Sequence, residues 1–549
     1  MTQATITIKL LGYWHAGSGL GQGGRADALV LRGSDELPYL PGRTIKGLFR
    51  EGVLACEELG HVRDGMTRRL FGEHKPSERD RDSVQTEDDP GEKDRDSVQA
   101  GGQLFFSNAV LDDNMRKWLS EAGAELRRQL FDVVASTALA DGVADTDTLR
   151  VTEVTLPMTL TATVSGPDDL DWQNALRKGA SLVRALGSHR HRGLGRCEIM
   201  VGEAAVMPGA GEVKIEASET RCQWLEIELK SDVIVSATAA TIGGHESLDY
   251  LPGSVLLGAA AGAWRNRKGS FDPEAFLSGK IRFGDGLPIG PDAEMGWPMP
   301  QSYHQLKQTA QGESEKIELI NALTLETKEA RSYSESGNQL QAFRKGRVTS
   351  AGHLFDLPSA YQMKTAVSRE DLGSAAEGQL FGYDALRAGS RFRARLSWDE
   401  GQEDAAGKIL ALLLSGEVRL GRSRSAQYGE VRISRTTAPA GLKTLEAFPD
   451  PDDPSKSKLL ISIYVLSDLA LFNEGTPTFH PLPKDFGLTD CEFVPERSFV
   501  RVRRYSPWNA YRNSRDTERQ VIRRGSVLTF RIPPGSDAAA LINSEALLR

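Results

Sequence analysis

Residues able to do chemistry gather in four places along the 549-residue chain. Asp27, in ADALV, follows a glycine-rich stretch, HAGSGLGQGGR. A carboxylate on such a loop beside a phosphodiester could hold Mg²⁺ or another divalent cation, or orient an attacking 2′-hydroxyl. His15, at the end of the first strand-like run, could serve as general base toward such a hydroxyl, although a lone histidine is usually a packed or loop-anchoring one. Arg43, Lys46 and Arg50 surround the start of an amphipathic stretch in LPYLPGRTIKGLFR, where cations join the unpaired N–H groups of a helix start and suit an anion. GSHRHRGLGRCEI crowds His189, Arg190, His191, Arg192 and Arg196 among three glycines, a mould for a sugar-phosphate backbone.

Each of the last two features occurs twice. LPYLPG returns as LDYLPG 211 residues later, with Tyr250, Leu251, Pro252, Gly253 and Gly258 answering Tyr39, Leu40, Pro41, Gly42 and Gly47. EVRLGRSRSAQYGEV, with Gly421, Arg422, Arg424 and Gly429, restates the glycine-arginine loop. The spacing predicts strand, tight turn and helix around each Pro-Gly pair. In the second copy Arg43, Lys46 and Arg50 become Ser254, Leu257 and Ala261 at that offset, and Asp27 falls on Thr238, so this copy reads as a binding element only. The Tyr-Leu-Pro-Gly break is thus architectural.

The remaining chain supplies the frame. Strands are predicted at residues 4–14, 101–111, in VTEVTLPMTLTATV, and in LEIELKSDVIVS, which repeats the opening. Helices are predicted over 171–186 and 408–415, with a long loop or thumb over 136–150. Residues 63–100 contain the near-copies ERDRDSVQ and EKDRDSVQ and almost no apolar side chains, so a mobile insertion is expected. Their interleaved acids and arginines neutralise one another, which argues against a DxD metal site. Gly19, Gly21 and Gly24 spell GxGxxG, but an extended ALVL run follows where a dinucleotide site needs a helix. Residues 207–219 read as a linker between a first domain, 1–206, and a second, 220–549.

Composition narrows the partners. The net charge is −8, yet residues 73–96 hold ten acids against five bases, and without them 65 acids face 62 bases. Arg497–Arg524 holds nine arginines and two acids, so any polyanion must be met by a local patch. There Arg503, Arg504, Tyr505, Trp508 and Arg512 mix cations with aromatics, which suits RNA stacking or a partner subunit. Cys56, Cys197, Cys222 and Cys491 show neither zinc spacing nor a disulfide framework. The opening lacks a signal-peptide pattern and the longest apolar run, near Val255–Trp264, is too short to span a bilayer. A soluble, cytoplasmic protein is expected, with no membrane partner.

Together the Pro-Gly turn with its KG-x-x-R helix, the glycine-arginine loops and the closing SPWNAYR…VIRRGSV segment resemble the RAMP superfamily of CRISPR-associated RNA-binding proteins. The resemblance implies an α+β fold of tandem ferredoxin-like (RRM-like) modules with antiparallel sheets and inserted loops. The first domain resembles the backbone subunit of type III effector complexes, and the second resembles the type III-D relative of the subunit that caps the guide RNA's 5′ end. That implies partners: CRISPR guide RNA, complementary target RNA and other effector subunits, in antiviral defence. It also implies metal-dependent cleavage of target RNA at Asp27, making the first domain an endoribonuclease. Two other readings are a non-catalytic RNA scaffold and a metal-independent guide-processing endonuclease using His15.

Overall fold

The computed structural model describes the chain apart from residues 25, 73–101, 170, 207–212, 214, 216–220, 238–243, 269–271, 307–318, 336–338, 368–374, 417, 440–446, 456, 489, 507, 510–513, 516 and 534–549. The opening run forms β1 (Thr2–Leu10), and its alternation buries Ala4, Ile6, Ile8 and Leu10. Helix α1 (Gly42–Glu58) follows the Pro-Gly break and buries Ile45, Leu48, Phe49, Val53 and Cys56 on one face. Then come α2 (Met66–Phe71), β2 (Phe105–Phe106), an exposed hairpin of β3 (Phe131–Ser136) and β4 (Arg150–Thr155), β5 (Thr159–Gly166), α3 (Asp171–Leu182) and β6 (Cys197–Val201). The sheet runs β2-β5-β1-β6 with antiparallel neighbours, the ferredoxin-like order, and α1 and α3 cover one face.

The second copy repeats this path. Its elements are β7 (Cys222–Leu229), α4 (Gly253–Lys268), β8 (Ile281–Phe283), the hairpin β9 (Ser359–Val367) and β10 (Ala375–Leu386), β11 (Arg391–Trp398), α5 (Glu403–Leu413) and β12 (Val431–Thr436). Its sheet order is β8-β11-β7-β12, again antiparallel, over its own apolar core. Beyond it lies a four-stranded sheet containing β13 (Leu459–Tyr464), β14 (Glu492–Phe493) and β17 (Val527–Arg531), with the pair β15 (Val502–Tyr505) and β16 (Arg519–Ile522) beside it. This sheet has a core of its own around Phe486, Leu528 and Phe530.

Several expectations shift. The stretch expected to be mobile from residue 63 begins with α2, because Met66, Leu70 and Phe71 are apolar enough to join the first core; the repeats at 78–99 lie outside the described residues. The thumb is a true hairpin. Asp27 sits between isolated bridges, Ala26 with Gln22 and Ala28 with Thr152, and not in the continuous strand that the extended ALVL run suggests. The helix expected over 171–186 stops at Leu182, because Gly187 must turn with φ of 82°. Thr238 lies outside the described residues, and parallel pairing supplies a firmer equivalence: Ala28 opposes Thr152 as His245 opposes Tyr383. Asp27 therefore corresponds to Gly244.

The modules also share their helix start. The Gly42 N–H donates to Asn108 Oδ1 and the Gly253 N–H to Asp285 Oδ1, both at 2.9 Å. These side chains satisfy a donor that the helix itself leaves unpaired. A Cβ on Gly42 would stand 2.6 Å from the Phe106 carbonyl oxygen, and one on Gly253 would stand 1.9 Å from that of Phe283. Glycine is needed for backbone contact with the second strand. Although alanine is the better helix former by about 1 kcal/mol, Gly42→Ala and Gly253→Ala are each expected to destabilise by about 2–4 kcal/mol. Chemical denaturation would show a lowered midpoint for both.

Candidate nucleic-acid interface

The cationic loops are clamped to the exits of the first strands. In the first module the Ser188 N–H donates to the His15 carbonyl at 2.9 Å, and the Gly195 N–H donates to that of Tyr13 at 2.7 Å. In the second, Arg422 N–H meets the Ile234 carbonyl and Gly429 N–H that of Asp232, both at 2.9 Å. The loop closes on itself through Leu186 N–H to Gly195 O and Leu420 N–H to Gly429 O. Gly187, Gly195, Gly421 and Gly429 all have φ between 73° and 89°, and a Cβ on Gly195 would lie 1.8 Å from the Leu186 carbonyl oxygen. Glycine adopts this conformation without the penalty other residues meet.

The clamp decides what each candidate can reach. His189, His191, Arg192 and Arg196 are exposed, and Arg192 and Arg196 have no ion pair among the described residues. Arg190 is instead held by Glu51 of α1, through Nη1 to Oε2 at 3.1 Å and Nη2 to Oε1 at 3.2 Å. A cleft of about 340 Å³ lies between α1 and this loop, lined by Leu48, Ala55, Arg190 and His191 among others. On the same helix Arg43 is exposed, while Lys46 and Arg50 are half-buried. Burial, reinforced by the Arg50 charge, pushes the Lys46 ammonium down to about 8. In the second loop Arg422 and Arg424 are exposed.

Asp27 is exposed and clasped by one residue: its N–H donates to the Val151 carbonyl and its Oδ2 accepts the Val151 N–H, both at 2.8 Å. Among the described residues no three His, Cys, Asp or Glu side chains group closely enough to hold a metal ion. Among the described residues Asp27 therefore offers at most a partial ligand set for a divalent cation. His15 is 3% exposed, and its Nδ1 donates to the Glu153 carbonyl at 2.6 Å. Burial lowers its basicity. Packed between strand exit and hairpin, this imidazole anchors the loop and is not presented to a solvent-borne hydroxyl.

A buried acid in the hairpin went unread in the sequence. Glu153, 1% exposed, accepts the Val30 N–H at 3.0 Å and the Arg32 guanidinium at 2.7 Å. Its counterpart Asp384 accepts the Ser247 N–H at 3.3 Å. The signal was an acid inside an otherwise apolar and threonine-rich strand, VTEVT. It ties the Asp27 loop to the hairpin.

At the arginine-rich end Arg497, Arg503 and Arg524 are engaged by the protein itself. Arg503 donates to Asp468 at 3.1 Å and to the Ala237 carbonyl at 3.0 Å, 5.1 Å over the Tyr505 ring. Arg497, 8% exposed, pairs with Asp452 and bonds the Leu325 carbonyl. Arg524 lies 3.2 Å over the Tyr250 ring. Arg504 is exposed and Tyr505 half-buried. Trp508 begins a short strand whose side chains are not described, and Arg512 lies outside the described residues.

Residues 7–198, which span most of the first module, match the RAMP superfamily model. The chain is similar to a chain of the type III-B Cmr-β complex bound to cognate target RNA and AMPPnP, at 10% identity over 56% of this chain and 86% of that one, with a TM-score of 0.34. A chain of the same complex in its apo state gives 11% identity over 36% and 96%, with a TM-score of 0.27. No curated protein matches the sequence. No described helix is long and apolar enough to cross a membrane.

Lys46 offers a direct check on the electrostatics of α1. In ¹³C-methylated protein its NMR resonance should titrate near 8, and Arg50→Ala should move the midpoint upward, because a like charge that disfavours the ammonium is gone. An unmoved midpoint would assign the shift to burial alone.

Proposed function

We propose that this chain is a guide-RNA-binding subunit of a type III CRISPR effector complex, a backbone-type module fused to a cap-type one. The observation that carries this reading is the first glycine loop. It is clamped at both ends to a strand exit, and it leaves Arg192 and Arg196 exposed and without an ion pair among the described residues. Exposed cations on a clamped loop suit phosphates of a single strand, which position the chain without reading its sequence. Arg43 and Lys46 on α1 add cations to the first module, whereas the second module has Ser254 and Leu257 at those positions.

Each phosphate contact to a single strand contributes about 0.7 to the slope of log affinity against log salt. Replacing Arg192 and Arg196 together by alanine should therefore lower that slope by about 1.4 and weaken RNA retention at least tenfold at 50 mM salt. An unchanged slope would move the RNA path elsewhere.

Cleavage of a complementary strand, in this reading, is confined to Asp27. It is exposed on a loop tied to the hairpin, and Gly244 at the equivalent position has no carboxylate. Asp27 would orient, and take the proton of, the 2′-hydroxyl that attacks the adjacent phosphorus, as the bond to the 5′-oxygen breaks to leave a 2′,3′-cyclic phosphate and a 5′-hydroxyl end. Asp27→Ala should abolish target cutting at one position while guide retention stays within twofold of the parent. Undiminished cutting would leave the chain a scaffold.

A further inference from the structure

The loop that carries Asp27 is registered from two sides. On one side it pairs with the glycine-rich stretch before it, the Ser18 N–H donating to the Leu29 carbonyl at 2.9 Å and the Leu31 N–H to that of Ala16 at 2.7 Å. On the other it meets β4, where the Asp27 N–H donates to the Val151 carbonyl and the Glu153 N–H to that of Ala28 at 2.9 Å. Beyond Ala28 the Glu153 side chain takes over from the backbone. Its Oε2 accepts the Val30 N–H at 3.0 Å and its Oε1 accepts from Arg32 Nη2 at 2.7 Å. One residue of the hairpin thus fixes the loop at positions 28, 30 and 32.

Arg32 is itself held twice. Its guanidinium lies 3.7 Å over the Phe131 ring of β3, and it pairs with Glu153, the two side chains being 32% and 1% exposed. Removing one member of such a pair leaves an uncompensated buried charge, whereas apolar side chains of similar volume would fill a purely structural seam as well or better. What the charged pair adds is register. A loop displaced along β4 would leave the Glu153 carboxylate without its guanidinium.

The second module lacks this pair. The Ser247 N–H meets Asp384 as the Val30 N–H meets Glu153, so the bond from backbone to hairpin acid is kept. Residues 31–38 separate Val30 from Tyr39, but only residues 248–249 separate Ser247 from Tyr250, so the stretch that carries Arg32 is shortened away. The position of Asp27 is taken by Gly244. A carboxylate at one end of the loop and an arginine at the other occur together in the first module and are missing together from the second. Where no side chain has to be aimed, the backbone bond suffices.

We propose, on the reading of Asp27 as the cutting group, that the Arg32–Glu153 pair is a register lock that positions Asp27, acting on the rate of cutting and not on the binding of guide or target. Glu153 is sealed from solvent, and the Arg32 guanidinium is occupied by Glu153 and Phe131. Both are positioning residues, and Asp27 alone meets the reacting hydroxyl. A slip of one residue along β4 moves the loop by about 3.3 Å, and a misplacement of even about 1 Å can lower a rate by about a hundredfold.

The test is a double-mutant cycle on the effector complex purified from its native cells through this chain. Arg32→Met, which keeps a stem over Phe131, and Glu153→Gln, which keeps the shape, should each lower the single-turnover cutting rate at saturating target at least tenfold, with target affinity and guide retention within twofold of the parent. The double variant should be no slower than the slower single one, because both changes break the same pair. Additive losses, or a loss of affinity in place of rate, would overturn the proposal. Hydrogen exchange reads the lock without cutting: the Val30 amide should exchange at least tenfold faster in Arg32→Met while the Ser188 and Gly195 amides keep their protection. Unchanged protection of Val30, or lost protection at all three, would overturn it too. Asp27→Ala measured alongside separates the two readings. If it is silent, the cutting assignment and the lock fall together; if it abolishes cutting while Arg32→Met cuts at the parent rate, only the lock falls.

Discussion

Everything functional here depends on one backbone clamp, the bond from the glycine loop to the carbonyl at the exit of the first strand. It is made twice, Ser188 to His15 and Arg422 to Ile234. The clamp demands glycines with positive φ, and these let the loop fold back on itself through Leu186 and Leu420, both fully buried. With the loop ends fixed, the backbone that carries Arg192 has little freedom. Cations held this way lose less conformational entropy on meeting an anion than cations on a free tail would.

On that shared scaffold the charges are used differently. In the first glycine loop Arg190 is taken up by Glu51, while Arg192 and Arg196 have no ion pair among the described residues. Toward the other end, arginines are consumed in joining units: Arg503 links β15 to Asp468 and to the strand exit of the second module, Arg497 meets Asp452, and Arg524 covers Tyr250. Burial of such groups is tolerable because each has an acid, a carbonyl or an aromatic face to meet. The chain thus separates exposed cations of the first glycine loop from arginines used to close its second half.

Much of this was legible in the residues. The repeated Tyr-Leu-Pro-Gly and glycine-arginine motifs predicted two modules, and the sheet orders agree with two ferredoxin-like units. The Pro-Gly break is architectural, since Gly42 and Gly253 both lie against strand carbonyls. What sequence could not show was pairing at a distance. A constant offset of 211 placed Asp27 on Thr238, whereas unequal loops shift the equivalence to Gly244. Nor could counting arginines reveal which of them face acids 35 or 98 residues away, as Arg503 and Arg347 do. The acid at 153 escaped because a buried carboxylate is recognisable only once its partners, Val30 and Arg32, are brought beside it.

The central claim, that the clamped loops hold a guide RNA, is tested most directly by sequencing the RNA that co-purifies with the full chain. The account predicts molecules of defined length that share a constant 5′ segment and vary beyond it, and that disappear from the Arg192→Ala, Arg196→Ala double variant. Random fragments, or the same RNA retained by the double variant, would contradict it.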